Sequence, residues 1–152
     1  MENILKKILI KKKEKITDCK KKYPINNLLQ TVNKIDNFTN FKSELKKRDV
    51  KKEISIIAEI KKASPSAGLI IEKYDPVDIA DIYNKNKATC LSVLTEEDFF
   101  LGSLTHIYKI KSKCTAMDPT SMHIPILCKD FFIDPYQVHL AKYYGADAIL
   151  II

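Results

Sequence analysis

Glycine, arginine and long apolar runs are what this sequence has least of. Its three glycines, Gly68, Gly102 and Gly145 in 152 residues, form neither a GxGxxG nor a Walker sequence. That argues against a dinucleotide or P-loop nucleotide site and leaves no glycine-rich phosphate loop in this chain. No run of ~18 apolar residues exists to span a bilayer, so no membrane partner is expected. The N-terminus lacks the apolar core and small-residue cleavage site of a secretory signal. Cys19, Cys90, Cys114 and Cys128 form no CxxC pair, and read as reduced thiols in a cytoplasmic protein. Cys114, His123 and Cys128 match no compact zinc spacing, so no metal is expected. His106, His123 and His139 have no Ser or Cys partner identifiable from spacing.

The charge of +7 suggests a nucleic-acid partner until it is divided. Residues 1–52 hold 16 Lys+Arg against 6 Asp+Glu, and residues 53–152 hold 10 against 13. The basic character is therefore confined to the N-terminal third. Arg48 is the only arginine there, and no aromatic residues are interleaved as stacking platforms, so base readout and stacking are both poorly served.

The chain length suits one domain with a sizeable core. Within residues 1–22, Ile4, Leu5, Ile8, Leu9 and Ile16 recur at helical spacing among lysines. They predict an amphipathic helix that ends at Tyr23-Pro24. A second short helix is expected near Phe38–Lys47, capped by Asn37 or Thr39. Such a basic helix can dock on its own domain or lie on a membrane surface, and docking is the simpler reading.

From residue 53 the pattern changes to strands alternating with helices. Strands are expected at Ile54–Ile60, Thr89–Leu94, Ile124–Lys129 and Asp147–Ile152. Helices are expected from Asp75-Pro76 to Lys85, near Ser103–Lys113, and from Asp134-Pro135 to Tyr144, with Gly145 ending the last. This β-α-β-α-β-α-β order with apolar strands implies a parallel sheet covered by helices, either open or part of a (β/α)8 barrel. Four units fall short of the roughly 250 residues of a closed barrel. "ADAILII" also stops on a bare apolar strand, so the expectation is an unfinished chain.

Polar residues at strand ends are the candidates for chemistry. Alternation puts Glu59 and Lys61 on one face of their strand with Ile57. Lys129 closes "IPILCK" in the same way, on the face of Leu127. Two strands thus each deliver a lysine to the C-terminal end of a parallel sheet, where active sites of such folds lie. Two ammoniums and a carboxylate suit an anionic substrate that needs proton transfer. They equally suit ordinary ion pairs, Glu59 with Lys61 and Lys129 with Asp130. The Ser64-Pro65-Ser66 turn reads either as a tight connector or as a ligand contact.

Three blocks make the pattern specific. "IIAEIKKASPSAGLI", "LSVLTEEDFFLGS" and "PILCKDFFIDPYQVHLAKYYGADAIL", in this order, closely resemble consecutive blocks of indole-3-glycerol phosphate synthase. The resemblance runs from about Ile54 to Ile152. It implies a (β/α)8 TIM barrel of which the first four β/α units are present (residues 53–152), preceded by an N-terminal helical extension (residues 1–52). It implies a cofactor-independent ring closure and decarboxylation of a phosphorylated small molecule, 1-(2-carboxyphenylamino)-1-deoxyribulose 5-phosphate. The products are indole-3-glycerol phosphate, CO2 and water. Carried over by motif, Lys129 is the general acid, Lys61 meets the phosphate or carbonyl region, and Glu59 orients Lys129. Ser64, with Pro65 beside it, holds the substrate carboxylate, and Phe100 and Phe131 wall the aromatic ring.

"ILCKDFFIDPYQ" also resembles versions fused to a phosphoribosylanthranilate isomerase. A fused or separate C-terminal half and an isomerase domain are therefore the expected partners. The family's later acid/base glutamate and its phosphate loops have no counterpart here, so the chain alone is expected to be inactive. The alternative is a non-catalytic remnant or half-barrel assembly module. The stretch "KIKSKCTAMDPTSMH" is longer than the usual connection. Because the excess charge is lysine without stacking partners, any nucleic-acid association should be weak. A mobility-shift assay should show no complex that survives about 200 mM salt.

Overall fold

The computed structural model describes residues 3–36, 39–117 and 124–152. Among them the chain forms six helices and a four-stranded parallel sheet. Helix α1 (Ile4–Lys22) starts where the Asn3 side chain accepts the Leu5 N–H at 3.0 Å, a cap of the kind that contributes about 1 kcal/mol. Tyr23-Pro24 ends it, as the sequence predicts. Its buried residues are Ile8, Lys12 and Ile16, at i, i+4 and i+8. Ile4 and Leu5, expected in the apolar stripe, are instead exposed.

Helix α2 (Ile25–Val32) was not expected from the sequence, because Asn26, Asn27, Gln30 and Thr31 leave it only a short apolar pattern. Its Leu28 and Val32, four apart, are 3% exposed, so packing rather than propensity holds it. Helix α3 (Phe41–Val50) begins later than predicted, because Asn40 caps it through the Ser43 N–H at 3.0 Å. Of the two caps the sequence offers, Asn37 lies outside the described residues. Thr39 instead donates its N–H to Asp147 at 2.7 Å.

The sheet runs β1 (Ile57–Ile60), β4 (Cys90–Leu94), β5 (Ile126–Lys129), β6 (Ala148–Ile149), all parallel. Between the first two lies an antiparallel pair, β2 (Ala63–Ser64) and β3 (Gly68–Leu69). It occupies the stretch read as a loop, and Gly68 turns it at φ +65. Helices α4 (Pro76–Lys85), α5 (Leu104–Met117) and α6 (Tyr136–Tyr143) alternate with the long strands. Asp75 caps α4 by accepting the Val77 N–H at 2.8 Å, with Pro76 in the first turn. Gly145 ends the α6 segment at φ +95. Helix α5 runs into the stretch read as a long connection; residues 118–123 of that stretch lie outside the described residues.

One face of the sheet builds the core. Ile60, Leu91, Val93, Ile126 and Cys128 meet Ala80 of α4, Ile107 and Ile110 of α5, and Ala141 of α6. The expected seven-residue first strand is shorter. Ile54 and Ile56 are 85% and 55% exposed, and pairing begins at Ile57 opposite Cys90. The reason is position: β1 is an edge strand with one neighbour. The last strand is likewise shorter, pairing only at Ala148 and Ile149.

A second apolar cluster, Ile16, Leu28, Val32, Tyr136 and Leu140, fastens α1 and α2 onto α6. The Tyr136 hydroxyl lies 3.0 Å from the carbonyls of both Cys19 and Tyr23. No described helix is long and apolar enough to cross a membrane. Burial ranks the core: Ile107, fully buried, should cost about 2–5 kcal/mol as Ile107→Ala. Ile82→Ala, at an exposed position of α4, should stay within about 0.5 kcal/mol. Urea unfolding of the two variants measures the difference.

Candidate active site

The face opposite the helices carries Glu59, Ser92, Leu94, Leu127 and Lys129. Register sets Glu59 beside Ser92 and Ser92 beside Leu127, while Leu94 pairs with Lys129. Glu59 and Lys129 are therefore on strands separated by β4, roughly two inter-strand spacings or about 10 Å apart. A lysine and a glutamate side chain together span that gap, and the small Ser92 lies in line between Glu59 and Leu127. The Lys129 ammonium bonds one Glu59 oxygen, Oε2. Lys61 Nζ takes the other, Oε1, at 2.6 Å. One carboxylate thus holds two ammoniums, each by a separate oxygen.

Partial burial by itself would raise the Glu59 carboxyl. The hydrogen bonds from Lys129 and then Lys61 outweigh it and hold the group below its ordinary value. The ion pair expected from spacing between Glu59 and Lys61 is present. The one between Lys129 and Asp130 is not. Alternation turns Asp130 to the far side of β5, where Lys12 of α1 meets it at 2.6 Å.

Two aromatic residues stand together near the strand ends: Phe100 and Phe131 have ring centroids 6.3 Å apart. Each is set by a polar residue that the sequence did not single out. The Glu96 carboxylate, 1% exposed, accepts the N–H groups of Asp98, Phe99 and Phe100 at 3.2, 2.7 and 3.1 Å. Gly102 closes the same loop, its N–H bonding the Glu96 carbonyl at 2.8 Å. A Cβ on Gly102 would fall 2.4 Å from the Leu94 carbonyl oxygen, so no other residue fits without moving the strand end.

Gln137 of α6 does the same for the next loop. Its Nε2 donates to the Phe131 carbonyl at 2.9 Å, and its Oε1 accepts from Ile133 at 2.8 Å. The signal for these residues was faint. Glu96 sits in a run of three acidic residues, Glu96-Glu97-Asp98, and Gln137 follows a Pro-Tyr that already reads as a helix start.

Ser64 and Pro65 lie apart from these contacts. The Ser64 hydroxyl accepts the Ala67 N–H at 3.1 Å and lies 3.4 Å from the Ser66 hydroxyl. Pro65 is exposed at the tip of the same turn. Of the residues considered for a metal, His123 and the Cys114 side chain lie outside the described residues. Cys128 is buried 3.3 Å from the Thr95 hydroxyl, and burial pushes its thiol up to about 12. No group of three or more His, Cys, Asp or Glu ligands gathers among the described residues.

Comparison with known proteins shows the family. A family model described as indole-3-glycerol phosphate synthase matches residues 5–152. The chain is 39% identical over 151 residues to the indole-3-glycerol phosphate synthase of Trichodesmium erythraeum (strain IMS101), covering 99% of this chain and 48% of that relative. To the indole-3-glycerol phosphate synthase of Alkaliphilus metalliredigens (strain QYMF) it is 42% identical over 149 residues, covering 98% and 53%. To the tryptophan biosynthesis protein TrpCF of Buchnera aphidicola subsp. Schizaphis graminum (strain Sg) it is 45% identical over 151 residues, covering 99% and 30%. The chain spans about half the length of the two synthases. With the family model matched over nearly every residue, the chain belongs to the indole-3-glycerol phosphate synthase family.

Proposed function

We propose that this chain carries part of the active site of an indole-3-glycerol phosphate synthase. Residues 53–152 are the first four β/α units of a (β/α)8 barrel, and residues 1–52 are a helical extension in front of it. The observation that carries the reading is the Glu59 carboxylate shared between Lys61 and Lys129 at the C-terminal ends of parallel strands. Parallel strand order and helices on a single face support the barrel assignment.

The substrate is 1-(2-carboxyphenylamino)-1-deoxyribulose 5-phosphate. Its carboxylated ring carbon attacks the ribulose carbonyl, CO2 leaves from that carbon, and loss of the resulting hydroxyl as water completes indole-3-glycerol phosphate. Lys129 donates a proton to the carbonyl oxygen as the new carbon–carbon bond forms. Glu59 holds the Lys129 ammonium in place before substrate arrives, which leaves less reorganisation for the reaction step. Lys61, paired to the other Glu59 oxygen, faces the phosphate and carbonyl end and assists dehydration.

Phe100 and Phe131 flank the aromatic ring. Ser64, next to Pro65 in its turn, donates its O–H to the substrate carboxylate while still accepting the Ala67 N–H. The remaining acid/base group and the phosphate loops come from a further barrel segment, fused or separate. An isomerase domain fits the same arrangement, supported by the likeness to a TrpCF protein.

Completing the chain with the remaining segment of the Trichodesmium erythraeum relative should give an enzyme that forms indole-3-glycerol phosphate. In it, Lys129→Ala should lower kcat by about 10²- to 10⁴-fold; undiminished turnover would falsify the assignment. The chain without that segment should show no turnover above background in the same assay.

A second outcome follows from Glu59. Its carboxyl is held below the ordinary glutamate value of about 4.3, so the cluster's contribution to stability is fully present above that pH. It is lost as pH falls through the lower folded value. Carboxyl titration by NMR should place the Glu59 midpoint below that of an exposed glutamate. Lys129→Met should move it upward.

A further inference from the structure

We propose that Lys12 of α1 is a positioning residue for Lys129 and Phe131. It neutralises Asp130, so that this carboxylate can remain buried and clamp the backbone between them. The inference rests on the reading of the Glu59–Lys61–Lys129 cluster as an active site.

Asp130 lies between the two residues in sequence, and its side chain turns to the side of β5 opposite that of Lys129. Its Oδ1 accepts the Phe131 N–H at 2.7 Å, and its Oδ2 accepts the Thr95 hydroxyl at 2.8 Å. Thr95 in turn donates its N–H to the Lys129 carbonyl at 3.1 Å. The Asp130 carboxylate therefore fixes the chain on both sides of itself: Lys129 through Thr95, and Phe131 directly. A carboxylate so placed needs a counter-charge. The Asp130 and Lys12 side chains are each only 8% exposed, and a buried carboxylate stripped of its partner is strongly disfavoured. Lys12 is the cation bonded to it, at 2.6 Å. Without Lys12, the carboxylate must turn to water or take up a proton, and either change loosens the clamp.

Other lysines of α1 align the helix over the same strand ends. Lys15 meets Glu97 at 2.5 Å and Asp98 at 3.1 Å, in the loop that carries Phe100. Lys20 meets Asp134 at 2.6 Å, in the loop that follows Phe131. These pairs are more exposed and individually worth little. A cavity of about 220 Å³ lies beside the buried pair, lined also by Cys19, Leu104, Phe132 and Leu140. Ile16, Tyr136 and Leu140 of the cluster that fastens α1 to α6 line the same cavity, so the Lys12–Asp130 pair adds a polar fixing point to that apolar one.

The test reads the position of Lys129 through Glu59, by carboxyl NMR titration of the full chain with thermal unfolding recorded alongside. In the unsubstituted chain Glu59 should titrate below an ordinary glutamate. In Lys12→Met it should rise by about half a pH unit or more, because Lys129 no longer meets it squarely. In Lys12→Met/Asp130→Asn no buried charge is left unpaired and the amide oxygen still accepts from its neighbours. Glu59 should then return to within about 0.2 units of its starting value.

A folded Lys12→Met with Glu59 unmoved overturns the inference. So does a double variant that is unfolded, or whose Glu59 titrates at the ordinary value. If the single variant does not fold, the double variant decides in the same terms. An ordinary Glu59 value in the unsubstituted chain would instead overturn the arrangement of the site itself.

Discussion

The structure depends on one constraint, the in-register parallel pairing of β1, β4 and β5. Parallel strands end on the same side, so a carboxylate from one and an ammonium from another arrive at a common edge. Glu59 and Lys129 are 70 residues apart in sequence, yet the parallel register brings both to one face and one end of the sheet, where their side chains meet across β4. Shifting β4 by a single residue would turn Ser92 to the helix side and bring Leu91 or Val93 toward the gap. The hydrophobic pattern that builds the core therefore also secures the polar contact on the other face.

Strand alternation is enough to read the shared face of Glu59, Ile57 and Lys61 and to put Lys129 at its strand's end on the face of Leu127; its link to Glu59 comes only from the resemblance. The motif blocks single out Phe100 and Phe131, whose ring centroids lie 6.3 Å apart. Helices bounded by Asp75-Pro76, Tyr23-Pro24 and Gly145 were legible because their caps and breakers are local signals. What escaped were contacts made across long stretches of chain. Lys12 looked like one more solvated lysine in a basic helix, and only the far strand end shows why it is buried. Asp130 looked like the natural partner of adjacent Lys129, but neighbours in a strand face opposite ways.

Shorter elements were lost for related reasons. The β2–β3 pair is two residues on each side, too short for any periodicity, and its turn chemistry resembled a plain loop. Helix α2 has two buried anchors in eight residues, and owes its existence to α6. Ile54 and Ile56 fall in the stretch expected as strand because they are apolar, but pairing begins only at Ile57 and both stay exposed beside an edge strand. Glu96 and Gln137 show a further gap: each folds the loop that carries an aromatic residue, and neither has a pattern that distinguishes it from a surface side chain.

The N-terminal segment grips the sheet at both ends. Lys12 and Lys15 of α1 hold the loops at the C-terminal strand ends. At the other end, Asp147 accepts the N–H groups of Thr39 and Ile126 and pairs with Lys111 at 2.5 Å. Between these grips α2 lies along α6. The segment behaves like a caliper closed on the height of the sheet, and the stretch Tyr23–Asp36, which carries α2, sets its span. Insertion or deletion of even one residue there changes a length rather than a contact, and the mismatch must be relieved at whichever jaw is weaker.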